Sequence, residues 1–380
     1  MRKLVWLILA VMVISAGGVV AQDAPASAWA CPEEVLALEN KTLNVLNWST
    51  YIAEDTIPNF EQLCGVKVTQ DFFGSNEELI ARLRAGNPGF DIIVPSDYAV
   101  YTLVAEGLVL PLNKANIPNL ANITPELLDR PHDPGNVYTV PYQWGTIGVG
   151  YNVKAVETVY GEGVTITSWN QVLDYPKRAV AWLDDQRSIL GVALVMLGYD
   201  PNTTSFDEIE EAAAFLAERG RDNVVRLAAD DGQELLARGE VDMVIEYSGD
   251  IFQIAIACEA DPACGTTFAY AIPEEGSNLW VDNLAVAAGA QNQRLAEAFI
   301  DYILDPQVGA DISNYIAYAS PNQAAIDAGL IDPEFLNSPI IYPDEAAFEH
   351  LFQLRGFPED PDVEQAYNDA WDVLKIRLGA

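Results

Sequence analysis

From Leu43 onward, short apolar runs alternate with segments whose apolar residues recur every three or four positions, and these two periods predict strands and helices in turn. Leu43-Asn44-Val45-Leu46-Asn47 reads as a strand, Glu54 to Leu63 as a helix with Asp55 near its start, and Val66-Lys67-Val68-Thr69 as the next strand. Ser75-Asn76-Glu77-Glu78 opens a second helix that runs from Asn76 to Ala85 and closes at Gly86. Phe90-Asp91-Ile92-Ile93-Val94 follows as a nearly all-apolar strand, the pattern of a sheet buried on both faces. This is a βαβαβ series, and it predicts an α/β layer architecture.

A second alternating set starts near Gly148-Val149-Gly150-Tyr151. It continues through the strand Ala179-Val180-Ala181-Trp182-Leu183, the helix Ser188 to Leu197 and the strand Met243-Val244-Ile245. After Trp280, the strand Asn283-Leu284-Ala285-Val286 leads into a helix from Gln293 to Leu304 that Asp305-Pro306 stops, and the remainder reads as mostly helical. With 380 residues the chain fits two lobes. No Gly/Ser-rich linker separates them, so short connections should join them.

The N-terminus interrupts this pattern. Arg2 and Lys3 precede an apolar run from Leu4 to Val20, and Val19-Val20-Ala21 is a small-residue cleavage site, which together predict a secretory signal at 1–21 removed after Ala21. An uncleaved anchor is the other reading of the same run. An exported chain with four cysteines suggests two bridges, for which three pairings exist. Cys258 and Cys264 enclose a short loop, and local closure favours that pair, leaving Cys31 with Cys64. Lipidation of Cys31 is an alternative, with Ala28-Trp29-Ala30 a poor lead-in for it.

Charge narrows the partners. With 20 basic and 56 acidic residues the net charge is −36, which repels phosphate backbones, excludes the footprint of a nucleic-acid binder and favours cationic partners. A solvated acidic surface accounts for most of this charge. Catalytic signatures are scarce: there is no Gly-x-Ser-x-Gly elbow, phosphate-binding loop, dinucleotide turn or His-Glu-x-x-His motif. The only histidines are His132 and His350, and neither stands near a cysteine at zinc-site spacing, so neither metal nor cofactor is expected. A hydrolase using an acid pair such as Asp184 and Asp250 is a third-ranked alternative, since so many acids always supply some pair.

Aromatic residues stand beside small polar or acidic ones at predicted strand ends. Asn47-Trp48-Ser49-Thr50-Tyr51 follows the first strand, Pro95-Ser96-Asp97-Tyr98 the third, and Tyr247-Ser248-Gly249-Asp250 a strand of the second lobe, while Trp280-Val281-Asp282 precedes one. Strand ends of α/β sheets face the ligand crevice, so these loops are expected to converge between lobes. An extended Trp280–Asp282 segment puts both side chains on one face. Ring faces with carboxylates suit an organic ammonium, because rings cover its methylenes and attract the cation while carboxylates neutralise it.

Along most of the chain from about Leu43, the sequence resembles the periplasmic spermidine/putrescine-binding proteins of ABC transporters. The resemblance is carried by Asn47-Trp48-Ser49-Thr50-Tyr51, Ser75-Asn76-Glu77, Phe90 to Ser96, Pro141-Tyr142-Gln143-Trp144-Gly145, Ser248-Gly249-Asp250 and Tyr318-Ala319-Ser320-Pro321-Asn322. It implies a two-lobed periplasmic-binding-protein fold, each lobe a mixed sheet flanked by helices, that closes on a polyamine and presents it to a permease. Lobe 1 would comprise 41–146 plus 282–325, and lobe 2 would comprise 147–281 plus 326–380. The protein would be a periplasmic or extracellular monomer without enzymatic activity. The resemblance also assigns ligand contacts: Trp48, Ser49, Tyr51, Ser96 and Tyr98 from the first lobe, and Asp185, Tyr247 and Asp250 from the second. Trp280 and Asp282 lie near the crossover, with Asp282 as the main amine anchor, and Tyr318 and Gln353 complete the set.

Two departures bear on ligand length. A Glu is usual three residues after the position of Asp185, where Ser188 stands, and a Trp is usual where Tyr247 stands. Asp97 or Glu246 could replace the missing acid, with the strand-borne Glu246 expected to face solvent instead. The same fold binding another cationic or zwitterionic nitrogen compound is the alternative reading.

Overall fold

The computed structural model describes residues 27–229 and 231–379; the segment 1–21 read as a secretory signal lies outside them. An eleven-stranded sheet system runs through the described residues. The strands are β1 (Thr42–Asn47), β2 (Lys67–Phe72), β3 (Ile92–Ile93), β4 (Val109–Leu110), β5 (Thr139–Asn152), β6 (Val180–Leu183), β7 (Val224–Ala228), β8 (Met243–Tyr247), β9 (Phe268–Ala271), β10 (Ser277–Ala287) and β11 (Leu351–Phe352).

On one side β1 pairs in parallel with β2 and β3, the βαβαβ unit expected from the sequence. β10 then runs antiparallel to β3, β4 and β5. On the other side β8 joins β5 antiparallel and β6 in parallel, and β7 adds to β6. Residues 139–146 of β5 pair with β10, whereas Ile147 to Tyr151 pair with β8, so one strand serves both lobes and changes partner at Thr146/Ile147.

The long strands differ from the short runs that the apolar pattern predicts. Pro141 interrupts the first half of β5, yet it stands opposite the place where β10 shifts register between Asp282 and Asn283. A bulge tolerates a residue without an N–H, so the strand continues through it. Trp280, Val281 and Asp282 accordingly lie inside β10 rather than before it.

Local chemistry fixes the helices around the sheet. Ser75 Oγ accepts from Glu78 N at 3.2 Å to cap Asn76–Arg84, whose last turn carries Arg82 and Arg84. Asp185 caps Gln186–Leu197 by accepting from Ser188 N at 3.0 Å. Asp305 ends one helical run and caps the next, Pro306–Ile316, with proline at the first position where its missing N–H costs nothing. The cysteines are bridged as Cys31–Cys64 and Cys258–Cys264. No helix among the described residues is long and apolar enough to cross a membrane.

Glu246 overturns its expected exposure. It lies on β8 between β5 and β6, and Gly232 of the helix Gly232–Ala237 packs against its carboxylate, so the face to which Glu246 points is covered. Its residue is fully buried, with Tyr247 N donating to the carboxylate at 3.0 Å.

Candidate functional site

Between the lobes lies a small cavity. It is lined by Trp48, Ser49, Tyr51, Ser96, Tyr247, Asp250, Trp280, Asp282 and Tyr318. Trp48, Ser49 and Tyr51 come from the loop after β1, Ser96 from the turn after β3, and Trp280 and Asp282 from β10. Tyr247 ends β8, and Asp250 sits in the first turn of the helix Ser248–Ala260. The loops converge as the strand-end rule predicts, and the two side chains two apart on β10 share one wall.

The rings form the walls. Tyr318 meets Trp280 at 5.2 Å and Tyr51 at 5.3 Å, both edge-on, and Tyr247 stands edge-on to Trp280 at 5.8 Å. Trp48 is fixed by its indole N–H donating to Val94 O at 2.9 Å. Two glycines make the rings fit. A Cβ on Gly145 would lie 2.7 Å from Trp280, and one on Gly249 would lie 2.5 Å from the Tyr318 ring.

The carboxylates are held by hydroxyls and helix ends. Ser96 Oγ donates to Asp282 Oδ1 at 2.6 Å and itself accepts from Asn76 Nδ2 at 3.0 Å. Burial pushes the Asp282 carboxyl up to about 7 against the pull of the Ser96 and Tyr51 hydroxyls, with the charge of Asp185 adding to the rise. Asp185 Oδ2 accepts from Tyr247 OH at 3.3 Å, and burial again raises its carboxyl above the usual range. Asp185 and Asp250 stand at helix N-termini, where the dipole favours negative charge.

Three expected contacts stand outside this cavity. Asp185 lies behind Tyr247, bonded to its hydroxyl. Tyr98 borders a neighbouring chamber, where its hydroxyl donates to Glu77 Oε1 at 3.1 Å. Gln353 lines neither space: its Oε1 accepts from the Arg130 guanidinium and its carbonyl from Asn202 Nδ2 at 2.8 Å. Of the candidates to replace the missing acid, Asp97 is buried and lines neither space; it accepts from Tyr98 N at 2.9 Å and from the backbone of Val281.

Glu77 was not among the residues expected to face a ligand, and it is the carboxylate that interacts with Asp185 from the opposite lobe. Burial pushes it up to about 7, with the Asp185 charge adding to the rise and the Tyr98 hydroxyl and Arg187 opposing it. The sequence marks only the helix start there, at Ser75-Asn76-Glu77. Asn76 and Glu77 open a capped helix aimed at the cleft, one securing Ser96 and the other holding Tyr98. Asp184 and Asp250, the pair a hydrolase would use, are not brought together. Asp184 accepts from Trp371 Nε1 at 2.9 Å and lines a separate chamber.

The fold and the cleft are those of two-lobed solute receptors, in which a cleft between the lobes holds the cargo. The model of the bacterial extracellular solute-binding proteins matches residues 56–341, and the chain belongs to that family. It is 36% identical over 349 residues, 90% of this chain and 93% of the relative, to the putrescine-binding periplasmic protein PotF of Escherichia coli K12. It is 34% identical to the putrescine-binding periplasmic protein SpuD of Pseudomonas aeruginosa UCBPP-PA14, covering 89% of this chain and 93% of the relative. Among solved structures it resembles the spermidine/putrescine ABC transporter substrate-binding protein PotD of Streptococcus pneumoniae. The TM-score there is 0.71 at 29% identity, over 89% of this chain and 100% of that one.

Proposed function

We propose that the chain is a secreted receptor that captures a polyamine, putrescine or spermidine, between its lobes and delivers it to the permease of an ABC transporter. The observation that carries this reading is the cavity itself. Asp282 and Asp250 face one space walled by the rings of Trp48, Tyr51, Tyr247, Trp280 and Tyr318, and neither Lys nor Arg lines it. Such walls suit a slender chain of methylenes with a cation at each end. The names of PotF, SpuD and PotD support the same class of cargo.

Capture works through closure. A ligand that touches both lobes favours the closed state by the difference between its affinities for the two states. The change of partner along β5 supports lobes of 41–146 plus 282–325 and 147–281 plus 326–380, with β5 and β10 as the connecting strands. The protein acts as an exported monomer and carries out no reaction.

The test is calorimetry of protein freed of bound ligand by unfolding and refolding, titrated with putrescine and spermidine, alongside mass spectrometry of whatever co-purifies. Micromolar or tighter binding of either amine, about −8 kcal/mol or better, is expected. Absence of heat with both, and no amine in the native preparation, rejects the reading. Ser188 favours a second possibility, another cationic or zwitterionic nitrogen compound in the same cleft, since its hydroxyl accepts from Asn278 where a carboxylate would have faced the ligand. A thermal-shift panel of diamines, triamines, betaines and amino acids separates the two.

A further inference from the structure

The chamber next to the ring-walled cavity contains a cation that an acidic cleft has no evident need for. Arg187 follows Asp185 by two residues on the helix Gln186–Leu197 and is only 5% exposed. Its guanidinium lies over the ring of Tyr367 at 4.2 Å, Phe357 at 5.0 Å and Tyr98 at 5.8 Å. Nη1 donates to Arg355 O at 2.8 Å and Nη2 points to Asn202 at 3.4 Å, while Nε has no hydrogen-bond partner among the described residues. No carboxylate of the described residues forms an ion pair with it. Glu77 and Arg187 line the same chamber, and Tyr98 touches both, giving its hydroxyl to Glu77 and its ring face to Arg187.

Charge around this chamber is therefore a sum over three groups, of which Asp185 is joined to the ring-walled cavity through the Tyr247 hydroxyl. Glu77 arrives from the first lobe, Asp185 caps the helix from the second, and Arg187 stands on that same helix. Its charge favours the ionised form of both acids from beyond hydrogen-bonding distance. A buried carboxylate pair without a cation would call for two ammonium groups, or for a proton. With Arg187 in place, the net demand is for one.

We propose that the amine reaches past Tyr247 toward this chamber, and that Arg187 determines how many ligand charges are accepted there: by neutralising one of the two carboxylates of the Glu77–Asp185 pair it admits a single ammonium, and so favours a diamine over a triamine. This rests on the amine reading given above and adds a positioning residue to it. Arg187 acts through the two acids and does not touch the ligand. A role confined to packing against Tyr367 and Phe357 would make its loss weaken all amines alike, whereas the charge role moves the ratio between them.

The experiment is calorimetry of the full chain with putrescine and spermidine for the parent, Arg187→Gln and Arg187→Lys. Arg187→Gln is expected to raise the ratio of spermidine to putrescine affinity by about tenfold or more, because an uncompensated charge in a buried site is felt strongly. Arg187→Lys, which keeps the charge, should stay within about threefold of the parent ratio. If Arg187→Gln does not fold, Glu77→Gln serves instead. It leaves Asp185 and Arg187 mutually neutral and should lower the ratio by about tenfold. A ratio that stays within about twofold of the parent in the folded variant, with both amines still bound, overturns the inference alone. A parent protein that binds neither amine overturns the amine reading and this inference with it.

Discussion

Ser96 Oγ donates to Asp282 Oδ1 at 2.6 Å while it accepts from Asn76 Nδ2 at 3.0 Å, so the first residue of the helix Asn76–Arg84 aims the Asp282 carboxylate through one hydroxyl. Ser96 stands at the N-cap of the helix Asp97–Ala105 but makes no side-chain capping bond there. The hydroxyl is committed to Asp282 instead, and helix capping is given up for orientation of an acid.

Removing that acid should be costly. Asp282→Asn keeps the shape and loses the charge, and both putrescine and spermidine should bind at least about tenfold more weakly in calorimetry, since a charge-assisted bond is replaced by a neutral one. Ser96→Ala should cost less, about threefold to tenfold, through loss of orientation. Unchanged affinity in Asp282→Asn removes this residue as the amine anchor.

Binding should depend on pH with a definite sign. Burial pushes Asp282 and Glu77 each up to about 7, so in the empty cleft both are largely protonated at pH 6 and must ionise to receive an ammonium. Affinity is expected to fall as pH drops below 7, by up to about tenfold per pH unit for each acid that must lose a proton. Titrations in buffers of differing ionisation enthalpy should register proton release near pH 7.

The same raised values act on the stability of the ligand-free protein in the opposite direction. A carboxyl that holds its proton to about 7 when folded, against about 4 unfolded, contributes stability that is complete below 4 and is lost as pH rises through 7. Ligand-free protein should therefore lose stability between about pH 4 and 7 from these two groups. The rise in Tm on adding putrescine should be larger at pH 8 than at pH 6.

Packing under the rings gives a prediction independent of charge. Gly249→Ala places a methyl 2.5 Å from the Tyr318 ring, and the ring must move, at about 1–3 kcal/mol. Both a lower Tm and weaker binding of every amine are expected, without a change in their order. Retention of parent affinity would show that Tyr318 does not need its present position.

The two disulfides should differ in worth. Cys31–Cys64 spans 33 residues and Cys258–Cys264 only 6, so loop-closure entropy assigns about 3–4 kcal/mol to the first and about 2 kcal/mol to the second. Urea unfolding of the paired serine variants measures both, and the order should be preserved whatever the absolute values.

Much of the architecture is legible in the sequence because the two periods are clean in the first lobe. Val45, Leu46, Ile92 and Ile93 form runs that only a covered parallel sheet explains, and Ser75 before Glu78 marks a helix start. The extent of β5 and β10 is not legible. Pro141 reads as an interruption unless one knows that a bulge lies opposite it, and that depends on a partner strand more than a hundred residues away.

The site divides in the same way. Trp48, Tyr247, Trp280 and their acidic or hydroxyl neighbours follow or occupy strands, and strand ends meet at a cleft, so their convergence follows from local pattern alone. Glu77 lies on a helix among 56 acidic residues, and nothing local separates it from those that face water. Its partnership with Asp185 forms between residues more than a hundred positions apart and is a property of the folded structure. Glu246 differs from its expected exposure for the converse reason: a strand-borne acid is expected to face solvent, and only the placement of β8 between β5 and β6, under a helix, decides that the face it points to is covered.

Trp280 and Asp282 stand on β10, a ribbon that runs alongside β5 where that strand passes from one lobe to the other. If cargo is gripped by these two side chains as proposed, it pulls on the strands that connect the lobes instead of on a jaw hung from them. A substitution that stiffens or slackens this ribbon, even one remote from any amine, would retune how firmly the molecule shuts, and grip strength and spring constant would have to evolve together.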